Sequence, residues 1–99
     1  MAAKPVRFHE DAGAECEDAF DWYLARSPHA AAEFAAELSR AVELIAQAPR
    51  RWAPGLGGTR RFLLRRFPFA LVYRELPSVI LVLAVAHSHR RPSYWKTRL

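Results

Sequence analysis

With 99 residues and 52% apolar content, the chain is long enough for one modest core and too short for two, which excludes disorder and a multidomain enzyme. The net charge of +5 is unevenly spread: residues 1–49 hold 4 Lys or Arg against 9 acids, whereas residues 50–99 hold 11 against the single acid Glu75. Ten of those eleven cations are Arg, which favours planar contact with phosphate or carboxylate, so the basic half is expected to seek nucleic acid or an acidic protein segment.

A short strand is expected first, at about Pro5 to His9, with Val6 and Phe8 alternating against Arg7. Asp11 is placed to cap a helix running to about Arg26. Cys16, Ala19, Phe20, Tyr23 and Leu24 form its apolar stripe, and Glu15, Glu17, Asp18 and Asp21 take the remaining surface. Ser27 followed by Pro28 is a helix-start signal, and the second helix runs to about Ala48, with Phe34, Leu38, Ala41, Val42 and Ile45 on one side and Pro49 ending it. So short a connection makes the two helices an antiparallel hairpin.

Arg50 to Thr59, with Pro54, Gly55, Gly57 and Gly58, reads as a loop without a domain boundary; it lacks the Lys and Ser/Thr of a phosphate loop, so nucleotide binding is not expected. Three strands follow, Arg60 to Arg66, Phe69 to Arg74 and Val79 to His87, joined by short turns as an antiparallel meander. On the first of them a period of two turns Phe62 and Leu64 toward the helices and leaves Arg61 and Arg65 on the open face. The fold class is therefore α+β, one domain over residues 1–99, with the helical hairpin on one face of a mainly antiparallel four-stranded sheet.

The apolar run Val79 to Ala86 is much shorter than a membrane span, and no basic-then-apolar signal opens the chain, so a soluble cytoplasmic protein is expected. Cys16 is alone and falls on a helix stripe, which suits a packed thiol rather than a nucleophile. His9 and His29 lie far from His87 and His89, and no Cys or carboxylate joins that pair at ligand spacing. Neither a metal site nor a cofactor is expected.

The last strand passes directly into His87, Ser88, His89, Arg90, Arg91, Pro92, Ser93, Tyr94, Trp95 and Lys96. Imidazole, guanidinium and phenol groups delivered by one rigid strand are those from which a metal-free phosphate site is built. Trp95 is expected to pack back over the sheet.

This order of elements, together with Ala14, Asp21-Trp22-Tyr23, the Phe34, Leu38, Ile45 and Pro49 series, Arg61 to Arg66, Phe67-Pro68-Phe69, Val72-Tyr73-Arg74, His87, Arg90, Pro92 and Tyr94-Trp95, resembles the RelE/ParE superfamily of bacterial toxins from type II toxin–antitoxin systems. The resemblance covers nearly the whole chain. It implies a growth-arresting toxin neutralised by a cognate antitoxin whose acidic or amphipathic segment wraps the basic surface, in a hetero-oligomeric complex. It implies one of two activities: RelE-like members cut messenger RNA in the ribosomal A site without metal, whereas ParE-like members poison DNA gyrase without a nuclease site.

Aligned through Leu71-Val72-Tyr73, the first of two basic positions that RelE-like nucleases show on the second strand falls on Arg61, and the basic position after the last strand falls on Arg90. The second basic position falls on Leu63 and the third-strand arginine on Ala70, so the chain departs from that pattern at both. A nuclease would use His87 or His89 as acid or base, Arg61 and Arg90 on phosphate, and Tyr94 to stack or exchange a proton. Arg60, Arg61, Arg65, Arg66, Arg74, Arg91 and Lys96 are the candidate contacts to nucleic acid or antitoxin. The alanine-rich hairpin, with Trp22 and Tyr23 closing its first helix, is of ParE-like character.

Overall fold

Ser27 divides the helical half of the chain. Its extended backbone ends α1 (Glu10–Arg26) by donating its N–H to Tyr23 O at 2.7 Å, and its Oγ accepts from Ala30 N–H at 3.1 Å to cap α2 (Pro28–Gln47). One residue therefore closes one helix and opens the next, with Pro28 in the first turn where its missing N–H costs nothing. Ser27→Ala is expected to lower stability by about 1 kcal/mol, read as a shifted chemical-denaturation midpoint with the helical signal retained.

The computed structural model describes residues 3–99. It places the cap of α1 at His9 rather than Asp11: His9 Nδ1 accepts from Asp11 N–H at 3.0 Å. The reason lies in the preceding strand. β1 (Val6–Phe8) holds the chain to the sheet as far as His9, whose N–H donates to Val82 O at 2.8 Å, so the helix must start at the next residue and Asp11 falls inside its first turn.

The sheet has five strands rather than four, in the order β1, β5 (Ile80–His87), β4 (Phe69–Glu75), β3 (Thr59–Leu63), β2 (Ala53–Pro54). β1 runs parallel to β5, and the other pairs are antiparallel. The additional strand is a two-residue pairing of Ala53 with Arg61 and Pro54 with Arg60, which has no periodic pattern of its own and exists because the loop lies along the sheet edge. β3 also stops at Leu63 rather than Arg66. Glu37 on α2 accepts from the backbone N–H groups of both Arg65 and Arg66, and Leu64 N–H donates to Phe69 O, so the chain bends toward the helices and Arg65 is not carried on the open face by a strand.

Both helices cover one face. Ala12, Ala19, Phe34, Ala41 and Ile45 meet Phe62, Leu64, Leu71, Tyr73, Ile80 and Val82 there, and Tyr73 Oη donates to Pro49 O at 2.6 Å where α2 has ended. The opposite face carries a smaller cluster in which Trp95 lies over Val72, Leu83 and Ala84, as the tail was expected to pack. Ser93, in the left-handed region at φ 59°, redirects the chain so that the 3-10 turn Tyr94–Arg98 crosses back over the sheet. Leu99 then meets the β2–β3 loop at Gly57, where φ is 65° and a Cβ would come within 2.8 Å of Leu99 Cδ1.

Candidate functional site

The face left open by the helices holds a groove of about 590 Å³ between β2, the β3–β4 turn and the C-terminal tail. Alternation along the strands decides its floor: Arg61 and Leu63 of β3, Ala70 and Val72 of β4 and Ala86 of β5 point into it. His87, Arg90, Arg91, Tyr94 and Trp95 supply its tail-side wall. Four of the five candidate catalytic residues, Arg61, His87, Arg90 and Tyr94, thus share one groove. His89 does not line it, although its ring stands 5.0 Å from that of His87.

His87 closes β5 opposite Phe69, with the two rings edge to face at 5.0 Å. Its Nδ1 accepts from His89 N–H at 3.0 Å, which fixes the neutral ring as the Nε2–H tautomer. Leu63 and Ala70, the two positions at which the chain departs from the nuclease pattern, are direct partners in the β3–β4 ladder. Leu63 is 65% exposed, so the groove has an apolar cross-strand patch beside Arg61.

Tyr94 is committed elsewhere. Its Oη donates to Glu15 Oε2 at 2.6 Å, and burial, reinforced by that bond, pushes the phenol up to about 12. The Arg90 guanidinium lies 3.9 Å from the ring centroid, a cation–π contact on the same side chain.

Glu15, expected on the helix surface, is instead drawn in against the edge of β5, its side chain 16% exposed. β1 pairs with β5 only as far as Val82, which would leave the outer edge of β5 bare beyond it. Glu15 Oε1 accepts from Val85 N–H at 3.0 Å, Arg98 Nη1 donates to Leu83 O at 2.9 Å, and the two side chains are joined by bonds of 2.9 and 3.1 Å. An ion pair thereby stands in for the missing length of β1. Burial alone would raise the Glu15 carboxyl, but bonds from Arg98, Tyr94 and Val85 outweigh it and hold it below its ordinary value. The signal in the sequence is spacing: Glu15 lies between the buried Ala12 and Ala19 at helical intervals.

The remaining basic candidates are dispersed. Arg60 faces the helical side and donates to Trp52 O at 2.8 Å; Arg66 pairs with Glu33 at 3.3 Å; Arg65 sits in the turn held by Glu37. Arg74 lies at the far end of β4 opposite Thr59 and Leu81, and Lys96 is exposed on the tail. Among the described residues no three His, Cys, Asp or Glu side chains converge as metal ligands would. Among the described residues no helix is long and apolar enough to cross a membrane.

Residues 6–92 match the family model described as the ParE toxin of the type II toxin–antitoxin system parDE. The fold is similar to a chain of the chromosomal ParDE system from P. aeruginosa, with a TM-score of 0.74 and 20% identity over 86% of this chain and 96% of that one. It is also similar to a free-state mutant of the E. coli toxin RelE, with a TM-score of 0.66 and 18% identity over 97% of this chain and 93% of that one. No curated protein matches the chain in sequence.

Proposed function

The chain belongs to the ParE toxin family of type II toxin–antitoxin systems, with an antitoxin as its partner, and we propose that it arrests growth by binding DNA gyrase in the cytoplasm rather than by cutting messenger RNA. The observation that carries this reading is the Leu63–Ala70 pair. A pentavalent phosphate must be neutralised from several sides, and here the cross-strand positions beside Arg61 are apolar, one an exposed leucine and the other a buried methyl. The phenol that would exchange a proton is bound to Glu15 and keeps its proton to about pH 12.

An apolar floor with Arg61, Arg90 and Arg91 around it suits instead the acidic, amphipathic segment of the antitoxin. Arg60, Arg65, Arg66, Arg74 and Lys96 do not line the groove and add, on this reading, to the basic charge around it rather than to its contacts.

On induction without antitoxin, messages mapped by primer extension are expected to stay intact while DNA breaks accumulate. His87→Ala, His89→Ala and Arg90→Ala should each still arrest growth. Translation-dependent cuts within codons, lost in those variants, would reverse the conclusion. The nuclease reading has one observation in its favour, the convergence of Arg61, His87 and Arg90 on one groove with His89 against His87; the same experiment decides it.

A further inference from the structure

The acidic half of the chain has a surface that neither the antitoxin groove nor the core uses. Along α1 the exposed residues Ala14, Asp18, Asp21, Trp22 and Ala25 recur at intervals of three and four, with small residues flanking one large ring. Trp22 is 54% exposed, yet it is ordered in place. The Arg26 guanidinium lies 3.7 Å from its ring centroid, Arg26 Nη1 donates to the Trp22 carbonyl at 2.9 Å, and Tyr23 meets it edge to face at 5.2 Å. A rigid exposed tryptophan loses little entropy on binding and is the side-chain type that most often anchors an interface.

Beside it opens a second cavity, of about 460 Å³, walled by Trp22, Tyr23, Phe69 and Tyr94, with Asp18 on the α1 side. Its one cation, Arg90, is held over the Tyr94 ring on the tail side. Glu15 is consumed by Arg98 and Tyr94, and Asp11 lies 3.7 Å from Arg98, whereas Asp18 and Asp21 make no ion pair among the described residues. Two free carboxylates beside an ordered tryptophan complement a basic surface. They repel an acidic one, so the antitoxin segment that suits the arginine-lined groove is disfavoured here.

We infer that the Asp18–Asp21–Trp22 face of α1, with the aromatic cavity behind it, is the docking surface for the toxin's protein target, and that it takes a basic segment carrying an apolar residue beside an arginine or lysine. The inference rests on the reading of the chain as a toxin that acts by binding a protein. Toxin and antitoxin sites then differ in charge: the basic open face takes the antitoxin and the acidic helix takes the target, the two adjoining at Phe69, Arg90 and Tyr94, which line both cavities.

The test uses the full chain, with Trp22→Ala and the double variant Asp18→Asn, Asp21→Asn, both at exposed positions. Growth arrest on induction, co-purification with antitoxin and binding to purified DNA gyrase are measured side by side. Trp22→Ala is expected to weaken target binding on the order of 30-fold, the cost of truncating an aromatic anchor, and to restore growth while antitoxin still co-purifies. The double variant should weaken binding most at low salt. Arrest undiminished in both variants overturns the inference. So does loss of antitoxin binding by a folded variant, which would give the surface to the antitoxin, and so does an absence of arrest by the unaltered chain. Arrest by the unaltered chain without gyrase binding would remove the gyrase reading alone, and the variants' effect on arrest would still decide the surface.

Discussion

Glu15→Ala is expected to destabilise the protein by about 3 kcal/mol. The carboxylate satisfies three donors from three parts of the chain: Val85 N–H at the edge of β5, Tyr94 Oη in the tail and the Arg98 guanidinium. Its side chain and that of Arg98 are 16% and 13% exposed, so removing one partner leaves the other a poorly solvated charge. The range for breaking such a pair is about 3–5 kcal/mol, and residual solvent access places this one at the lower end. Glu15→Gln keeps the shape and loses the charge, so it should fall between the two in a urea titration. In both variants the tail is expected to detach first, seen as a change in Trp95 fluorescence before the global transition.

The same carboxylate gives the stability a pH dependence with a definite sign. Its folded value lies below the ordinary 4.5, so the unfolded chain takes up protons more readily. Its contribution is fully present above about pH 4.5 and is lost as the pH falls through the lower, folded value. Glu75, held down by bonds from Lys4 and Arg50, acts in the same direction at the exposed end of β4. A Glu15→Gln variant should therefore show a flatter acid limb than the parent when denaturation midpoints are measured from pH 6 to pH 3.

Phe34→Ala is expected to cost about 3–5 kcal/mol, a large share of the roughly 5–15 kcal/mol that holds a domain of this size together. Phe34 on α2 is fully buried, and its ring centroid lies 5.3 Å from Tyr23 of α1, 5.3 Å from Phe67 in the β3–β4 turn and 5.6 Å from Phe69 at the start of β4. One ring therefore joins the hairpin, the turn and the sheet. The aromatic neighbours are too large and too constrained to collapse into the space it would leave. Since Phe67 and Phe69 also line the open-face groove, antitoxin binding should weaken in this variant even where it remains folded. Leu63→Ala is the contrasting case: that leucine is 65% exposed, and its removal should change stability by no more than about 0.5 kcal/mol.

Local signals were enough for much of the architecture. Ser27-Pro28 specified the hairpin because a cap and a fixed φ act within four residues, and the alternation of Arg61, Phe62 and Leu63 specified which side of β3 meets the helices because the pleat has a period of two. The apolar series Phe34, Ala41 and Ile45 marked the buried face of α2 for the same reason. The order of elements and the Arg61 to Trp95 series also identified the toxin superfamily, in agreement with the family model over residues 6–92.

What the chain's own order determined, then, was its helices, the class of its sheet and the uneven distribution of its charge, all of which depend on neighbours a few residues apart. Contacts between distant segments decided the rest. Ala53 and Pro54 became a strand because β3 lay beside them, Arg65 and Arg66 left the sheet because Glu37 held their backbone, and His9 took the cap from Asp11 because Val82 held its N–H. Glu15 became the partner of Arg98, 83 residues away, because β1 is too short to cover β5. Helical spacing turns Glu15 to the side of Ala12 and Ala19 but does not say which backbone edge it will meet, so its role is set only when the tail closes over the sheet.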